Sequence, residues 1–267
     1  MTPPRIVIVA GWGQTRSTLD LLGRHLKSSD AASSLQIETT SVYELAATCD
    51  AATSQREEAS DAAPSLYART LYDEFLRHGP AIVCGWSMGG MVALEAAHAF
   101  PEAVSKLVLI ASCASFCRRD DAVGVYPWGT PPQSLDEMSQ GVAASPERTM
   151  ALFLRNVYRK SLAAADLDRK VAETVRLRRP LLQHGLQYLL HRDLRGIVPL
   201  IRQPTLLLHG KLDRVIPPAA AAYLQERMPQ ATLQWFEQGT HGLCEQLPLE
   251  TAQQIEGFLA DDERSLH

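Results

Sequence analysis

The amino-acid sequence predicts an α/β fold with one mostly parallel sheet of about six strands and helices on both faces of the sheet. Short runs rich in β-branched residues and leucine alternate with longer segments of helical periodicity. The short runs are continuously apolar, which is typical of strands buried on both faces. Parallel strands need long crossover connections, and the helical segments between the runs supply them.

Six runs are predicted as strands and five segments as helices. The strands are 5–10, 35–40, 81–84, 106–111, 205–209 and 232–236. The helices are 17–27, 64–78, 87–99, 217–228 and 248–260. Three of these helices begin at proline, which the first turn accepts because its N–H groups have no partner within the helix. Segment 46–63, rich in alanine, serine, threonine and acidic residues, is predicted to be an exposed loop.

The alternation of strands and helices stops after Ser112 and resumes at Gly196. Between these residues the sequence has helical patterns but no convincing strand. An insertion into the sheet-forming part of the chain explains this interruption. We therefore predict a core formed by residues 1–112 and 196–267, with a helical lid, residues 113–195, inserted into it.

The composition excludes several classes of protein. With 46% hydrophobic and 21% charged residues, the 267-residue chain is typical of globular proteins rather than disordered ones. Its net charge of −4 argues against nucleic-acid binding, since such proteins usually carry a basic surplus. The five cysteines include no CxxC pair, so neither a disulfide framework nor a metal site is expected. The sequence shows no secretory signal and no membrane-spanning apolar run, so we expect a cytoplasmic protein.

The charge is unevenly distributed along the chain. Between Glu147 and Arg195 there are eleven lysines and arginines but only five acidic residues, a local charge of +6. The rest of the chain therefore carries −10. A basic block within an otherwise acidic protein lies inside the predicted lid.

The strongest chemical signal is segment 85–90, Gly-Trp-Ser-Met-Gly-Gly, between a predicted strand and a predicted helix. A serine on so sharp a turn adopts strained backbone angles, and the small residues at 85 and 89 allow the turn to close. The hydroxyl of Ser87 is then presented at the carboxyl edge of the sheet, near the positive end of the following helix. Ser87 is thus the candidate nucleophile; the alternative is a glycine-rich helix start without catalysis.

A serine nucleophile needs a base, and the base needs an acid to orient it. His241 follows the last predicted strand, and Asp213 follows the strand that ends at His209. His209 itself is interpreted as a packed residue at the strand end. The alternatives are a surface loop histidine for His241 and a helix-capping aspartate for Asp213. The chain order Ser87, Asp213, His241 favours a catalytic triad.

Two backbone N–H groups are needed to hold the negative charge that develops on the substrate oxygen. Met88, directly after the nucleophile, is expected to supply one. The second should come from the loop after the first strand, where Trp12 N–H is our candidate. The side chains of Trp12 and Trp86 are interpreted either as substrate contacts or as ordinary core aromatics.

At these positions the sequence resembles the α/β-hydrolase superfamily over nearly its whole length. Segments 11–13, 85–90 and 100–112, with the surroundings of Asp213 and His241, are most similar to the pimeloyl-acyl-carrier-protein methyl ester esterases of biotin synthesis. The Gly-Trp-Gly and Gly-Trp-Ser combinations are moderately specific to that family. The serine, aspartate and histidine set is common to the superfamily.

The resemblance implies an α/β-hydrolase fold and a serine carboxylesterase that releases methanol from pimeloyl-acyl-carrier protein methyl ester. Acyl carrier protein is the implied partner, and no metal or organic cofactor is implied. The resemblance also assigns the oxyanion hole to Trp12 and Met88 and places Phe153 on a lid helix beside the acyl channel.

The chain departs from this family's pattern in three places. It begins at what corresponds to the family's third strand, so we expect the two leading antiparallel strands to be absent. Ala10 stands where a histidine commonly precedes Gly-Trp-Gly. Segment 41–45, Ser-Val-Tyr-Glu-Leu, replaces a glycine-rich acidic loop. None of these departures removes a catalytic group.

Segment 148–160 of the predicted lid has the pattern of an amphipathic helix. One side is apolar and another is basic, which favours an apolar face toward the substrate and a basic face toward an acidic carrier protein. The alternative is an ordinary solvated surface helix. The predicted substrate contacts are Trp12, Trp86, Phe153, Leu154 and Val157, and Met150 shares the apolar side. The predicted docking residues are Arg148, Arg155, Arg159 and Lys160, joined by Arg176, Arg178 and Arg179.

Three other functions remain open on the sequence alone. The chain could be a general short-chain carboxylesterase, or an acyl thioesterase that cuts the carrier linkage itself. The scaffold can also serve as a non-catalytic ligand receptor. The products released from a carrier-linked ester separate the two enzymatic alternatives, because one reaction frees methanol and the other frees the carrier thiol.

Overall fold

The computed structural model describes residues 4–28, 35–47, 63–159 and 161–264. The strands in these ranges are β1 (Arg5–Ala10), β2 (Gln36–Ser41), β3 (Ala81–Trp86), β4 (Val104–Ile110), β5 (Arg119–Asp121), β6 (Gly124–Tyr126), β7 (Thr205–Gly210) and β8 (Ala231–Phe236). Six of them form one sheet in the order β2-β1-β3-β4-β7-β8, and every neighbouring pair is parallel. The predicted fold class is confirmed.

Helices connect the parallel strands and cover both faces of the sheet. They are α1 (Asp20–Ser28), α2 (Val42–Ala47), α3 (Leu66–Leu71), α4 (Met88–Ala99), α5 (Pro132–Ala144), α6 (Pro146–Tyr158), α7 (Ala164–Val175), α8 (Arg179–His191), α9 (Pro218–Arg227), α10 (Leu243–Gln246) and α11 (Pro248–Arg264). Single helical turns at Arg16–Leu19 and Tyr72–Leu76 adjoin α1 and α3. The predicted loop 46–63 lies largely outside the described residues.

The structure contains a helix and a hairpin that were not predicted. The helix α2 follows β2 directly and is stabilised by a reciprocal cap, in which Ser41 N–H donates to Glu44 Oε2 at 3.0 Å and Glu44 N–H donates to Ser41 Oγ at 3.3 Å. The strands β5 and β6 form an antiparallel hairpin within the insertion, where we predicted helical segments alone. Three-residue strands are too short to show a periodic pattern.

Burial across the sheet explains why the sequences of the central strands are continuously apolar. Every residue of β3 and of β7 is buried, because helices cover both faces of these strands. The strand β8, at the edge of the sheet, has no fully buried residue. The centre of the sheet is therefore rigid, and it is the part that carries Ser87.

Four helices, α5 to α8, lie between β4 and β7 in the described part of the chain. Two buried ion pairs fasten this segment to the sheet-bearing part. Arg192, just after α8, pairs with Glu95 of α4, and Lys170 Nζ of α7 lies 2.6 Å from Glu245 Oε1 of α10. The division into a core, 1–112 and 196–267, and a lid, 113–195, stays a prediction.

Two kinds of feature are absent from the described residues. None of the helices there is both long enough and apolar enough to cross a bilayer. Likewise, no three histidine, cysteine, aspartate or glutamate side chains in those ranges are grouped so that they could hold a metal ion.

Candidate active site

Ser87 lies on the sharp turn between β3 and α4. Its backbone has φ 57° and ψ −121°, a conformation that side-chain-bearing residues rarely adopt. Glycine is required around it, since a Cβ at Gly85 would lie 2.3 Å from the carbonyl oxygen of Gly89, and a Cβ at Gly89 would lie 2.2 Å from that of Val9. Ser112 Oγ donates to Ser87 O at 2.9 Å and holds the turn from its other side.

Ser87, His241 and Asp213 form a continuous chain of hydrogen bonds. His241 Nε2 lies 2.9 Å from Ser87 Oγ, and His241 Nδ1 lies 2.8 Å from Asp213 Oδ2. A carboxylate only accepts, so Nδ1 of His241 carries the proton and Nε2 is left to accept from the serine hydroxyl. The three residues predicted as a triad are therefore brought together in the arrangement that a serine nucleophile needs.

Asp213 is buried, and it is held by two further hydrogen bonds. The backbone N–H groups of Val215 and Ile216 donate to its Oδ1 at 2.8 and 2.9 Å. Burial by itself raises the pKa of Asp213, but His241, His209 and the Ile216 N–H outweigh burial and lower the pKa below its usual value. Asp213 is thus kept as a carboxylate that can stabilise a charged His241.

Two residues contact the triad in ways that the sequence did not reveal. Trp86 is buried, and its indole Nε1 donates to the backbone oxygen of His241 at 2.8 Å. His209 Nε2 donates to Ile216 O at 3.0 Å and lies 3.5 Å from Asp213 Oδ2. Trp86 therefore fixes the loop that carries His241, while its predicted contact with substrate stays a prediction.

The loop after β1 passes directly beside the nucleophile. A Cβ on Gly11 would lie 2.9 Å from Ser87 Cβ and 3.2 Å from Met88 N, so only glycine allows this approach. Along the described part of the chain, no hydrogen-bond acceptor is paired with the backbone N–H of Trp12 or with that of Met88. Two donors near Ser87 are therefore available for an oxyanion, although their catalytic role stays a prediction.

A family model described as "Alpha/beta hydrolase family" matches residues 6–255, nearly the whole chain. The chain belongs to the alpha/beta hydrolase family. The order and direction of its six parallel strands, with Ser87 on the turn after β3, agree with that membership.

Several curated relatives of this chain carry the name pimeloyl-[acyl-carrier protein] methyl ester esterase. The relative from Aromatoleum aromaticum is 34% identical over 60% of this chain and 66% of its own length. The relative from Nitrosomonas europaea is 35% identical over 60% of this chain and 63% of its own length. The relative from Photobacterium profundum is 33% identical over 66% of this chain and 68% of its own length. The chain thus spans slightly less than two thirds of the first two relatives.

Solved structures share the fold of this chain at low sequence identity. An esterase from Exiguobacterium antarcticum superimposes with a TM-score of 0.78 over 96% of this chain and 91% of its own, at 18% identity. A bromoperoxidase from Bacillus anthracis superimposes with a TM-score of 0.79 over 97% of this chain and 92% of its own, at 15% identity. These likenesses establish the architecture and leave the reaction to the site itself.

The helix α6 covers the loop after β1. Phe153 packs edge-to-face on Trp12, with ring centroids 4.9 Å apart, and Trp12 Nε1 donates to Leu182 O of α8 at 2.8 Å. Leu154 and Val157 are wholly buried. Of the predicted substrate contacts on α6, Phe153 is the one only partly buried, and contact of any of them with substrate stays a prediction.

The predicted basic face of α6 is corrected at one position. The helix ends at Tyr158, and Arg159 has φ 53°, so Arg159 does not continue the helical face of Arg148 and Arg155. The sequence shows no glycine there to mark the helix end. Arg148 and Arg155 are exposed on the helix, and Lys160 lies outside the described residues.

The described lysines and arginines of the basic block between Glu147 and Arg195 fall into two groups. Arg169, Lys170, Arg192 and Arg195 are in ion pairs, three of them nearly buried. The second group has no ion pair among the residues that the structure describes, and most of its members are exposed. It comprises Arg148, Arg155, Arg159, Arg176, Arg178 and Arg179.

Proposed function

We propose that this chain is a serine carboxylesterase that hydrolyses the methyl ester of pimeloyl-acyl-carrier protein and releases methanol, a step of biotin synthesis. The observation that carries the reaction type is the hydrogen-bonded chain from Ser87 through His241 to Asp213. The substrate is taken from the names of the relatives, which are 30–39% identical over part of the chain.

In the proposed mechanism, His241 Nε2 removes the proton of Ser87 as Oγ attacks the ester carbonyl carbon. The C=O electron pair moves to the oxygen, and the N–H groups of Trp12 and Met88 hold the resulting oxyanion. Asp213 orients His241 and stabilises the imidazolium. When the tetrahedral intermediate collapses, the bond to the methoxy oxygen breaks and His241 gives that oxygen its proton.

The second half of the reaction frees the acid product. A water molecule, deprotonated by His241, attacks the acyl-serine carbonyl, and Ser87 leaves with the proton returned by His241. The acid remains attached to the carrier through its thioester. The whole cycle uses protein groups and water only, so independence from metals and organic cofactors is part of the proposal, together with a cytoplasmic location.

The insertion supplies the proposed recognition of acyl chain and carrier. Phe153 and Trp12 form an aromatic pair beside the oxyanion loop, where an extended acyl chain would pass. On the outer side of α6, Leu152 is 53% exposed between the exposed Arg148 and Arg155. Arg148 and Arg155 have no ion pair with any residue that the structure describes. An apolar residue flanked by such cations matches a partner whose surface is acidic with an apolar centre, as an acyl carrier protein would be.

Labelling and genetics test this proposal together. A fluorophosphonate should label the protein once, at Ser87, and Ser87→Ala should abolish both the labelling and the methyl esterase activity. The gene should restore biotin-free growth to a host that lacks the pimeloyl-carrier methyl esterase. Labelling and esterase activity without growth would favour the general carboxylesterase, and absence of labelling would favour a non-catalytic scaffold.

A further inference from the structure

Gly13, in the loop after β1, is held by a hydroxyl group at its backbone N–H and by another at its carbonyl oxygen. Gly13 N–H donates to the hydroxyl oxygen of Tyr43, and Thr174 Oγ1 donates to Gly13 O at 3.0 Å. Both side chains are 3% exposed, so water does not compete for these bonds. Gly13 directly follows Trp12, whose N–H is the second oxyanion donor of the proposed function.

Gly13 has a backbone conformation that favours glycine. It has φ +73°, a left-handed conformation that glycine adopts without strain. A Cβ at this position would lie 3.0 Å from Met150 Cε and 3.1 Å from Phe153 Cε1, so α6 leaves little room for a side chain here. Hydrogen bonds at both its N–H and its carbonyl therefore have to supply the rigidity that the residue lacks.

The two hydroxyl groups come from different layers of the molecule. Tyr43 lies on α2, within the segment 41–45 that sets this chain apart from the family pattern, and Thr174 lies on α7 of the insertion. Burial raises the pKa of Tyr43, so its hydroxyl stays neutral and accepts from an amide without bringing a charge to the site. The loop is thus bridged to the sheet-bearing part and to the insertion at one residue.

We propose that Tyr43 and Thr174 are positioning residues of the oxyanion hole. By fixing both sides of Gly13 they hold the preceding residue, Trp12, so that its N–H points at the oxyanion beside Met88 N–H. Oxyanion donors act only when they are fixed in place before charge develops, and sub-ångström displacement weakens them. This inference rests on the proposed serine-esterase function and adds two residues to it.

The test uses substitutions that remove only the hydroxyl groups. Tyr43→Phe and Thr174→Val should each lower kcat about tenfold, with KM changed less than twofold, because the donor acts in the transition state. The inhibition constant of an alkyl trifluoromethyl ketone, which forms a tetrahedral oxyanion adduct with the serine, should rise by the same factor as kcat/KM falls. Thr174→Ser, which keeps the hydroxyl, should restore most of the activity.

Matched controls separate positioning from general stabilisation. Tyr188→Phe and Thr251→Val remove buried hydroxyl groups that bond to Glu95 and Leu247 O, away from the loop. They should lower the melting temperature but leave kcat and the ketone inhibition unchanged. If Tyr43→Phe fails to fold, the comparison of Thr174→Val with Thr174→Ser carries the same test.

Folded Tyr43→Phe and Thr174→Val proteins with unchanged kcat and unchanged ketone inhibition would overturn the inference. So would losses no greater than those of the two control variants. Failure of the inference is distinguishable from failure of the proposed function, because the latter would show as full esterase activity in Ser87→Ala.

Discussion

Polar residues have different roles at the carboxyl edge of the sheet and in the inserted helices. At the sheet edge, Ser87, His241 and Asp213 bond to one another, and each is placed by a short turn directly after a strand. In the insertion, some charged residues form ion pairs that fasten helices to the rest of the molecule, and others are exposed and have no ion pair among the described residues.

The three residues at the sheet edge are therefore placed by local sequence motifs, whereas the role of an arginine in the insertion depends on whether it has an ion-pair partner. Arg192 and Arg155 are the same residue type in the same basic block. Arg192 forms an ion pair with the buried Glu95, whereas Arg155 is exposed and has no ion pair among the described residues. Substitution of Arg192 should lower the stability of the fold, and substitution of Arg155 should weaken the proposed recognition of the carrier protein.

The largest expected effect is at the sheet edge. His241→Ala leaves Ser87 without a base, so kcat on a soluble chromogenic ester should fall about 10⁴-fold or more. His98→Ala, on the exposed side of α4, is the matched control and should leave kcat unchanged. A His241→Ala enzyme within tenfold of the unmodified protein would show that the hydrogen-bonded chain is not the catalytic apparatus.

The next effect is on stability and belongs to the insertion. Arg192→Met leaves the carboxylate of Glu95 buried without its cation, which should lower the free energy of unfolding by about 3–5 kcal/mol. Arg169→Met removes an exposed pair with Asp166 and should cost less than about 1 kcal/mol. Denaturant unfolding measures both. Equal losses would show that burial of the first pair does not anchor the insertion.

A smaller effect should distinguish two substrates. The double variant Arg148→Glu, Arg155→Glu should lower kcat/KM for the carrier-linked ester about tenfold and leave a free methyl ester unaffected, because only the carrier meets the outer face of α6. The loss should shrink as salt concentration rises. Arg24→Glu, an exposed arginine on α1, serves as control. Equal losses on both substrates would contradict docking at this face.

The smallest effect concerns the dependence of stability on pH. Burial lowers the pKa of His209, and the nearby His241 lowers it further. Asp213 and the hydrogen bond to Ile216 O act in the opposite direction but do not outweigh burial. Below pH 6.5, the ordinary pKa of histidine, His209 therefore binds a proton in the unfolded chain but not in the folded protein. The free energy of unfolding consequently falls as the pH falls below 6.5. The slope should reach about 1.4 kcal/mol per pH unit.

His209→Gln should flatten this slope between pH 6.5 and 5. Asp213, whose pKa is lowered from 3.8, contributes in the same direction only at more acidic pH, so the two effects are separable. His98→Gln, at an exposed position, should leave the slope unchanged. Melting temperature measured across this range provides the check, and an unchanged slope in His209→Gln would contradict the assignment.

Much of the fold and of the candidate site could be predicted from the sequence because their signals are local. The turn at Ser87 needs glycine at 85 and 89 for steric reasons visible in six residues. Asp213 and His241 follow strands whose apolar runs are unmistakable. Chain order then places all three at one edge of the sheet, where the structure brings them together.

What escaped prediction depends on distant contacts or on weak local signals. The bond of Trp86 to His241 joins residues 155 positions apart, and the pairing of Arg192 with Glu95 joins residues 97 apart. The end of α6 before Arg159 has no capping glycine. The helix α2 did have a readable signal, since serine followed three residues later by glutamate is typical of a reciprocal helix cap.

The central claim is that Ser87 cleaves the methyl ester and leaves the carrier thioester intact. Mass spectrometry of the intact carrier, after incubation of pimeloyl-carrier methyl ester with the enzyme, measures this directly. The carrier should become lighter by one CH₂ group, methanol should appear in equal amount, and Ser87→Ala should produce neither change. Loss of the whole acyl group, leaving the free carrier thiol, would contradict the account and assign the chain to the thioesterases.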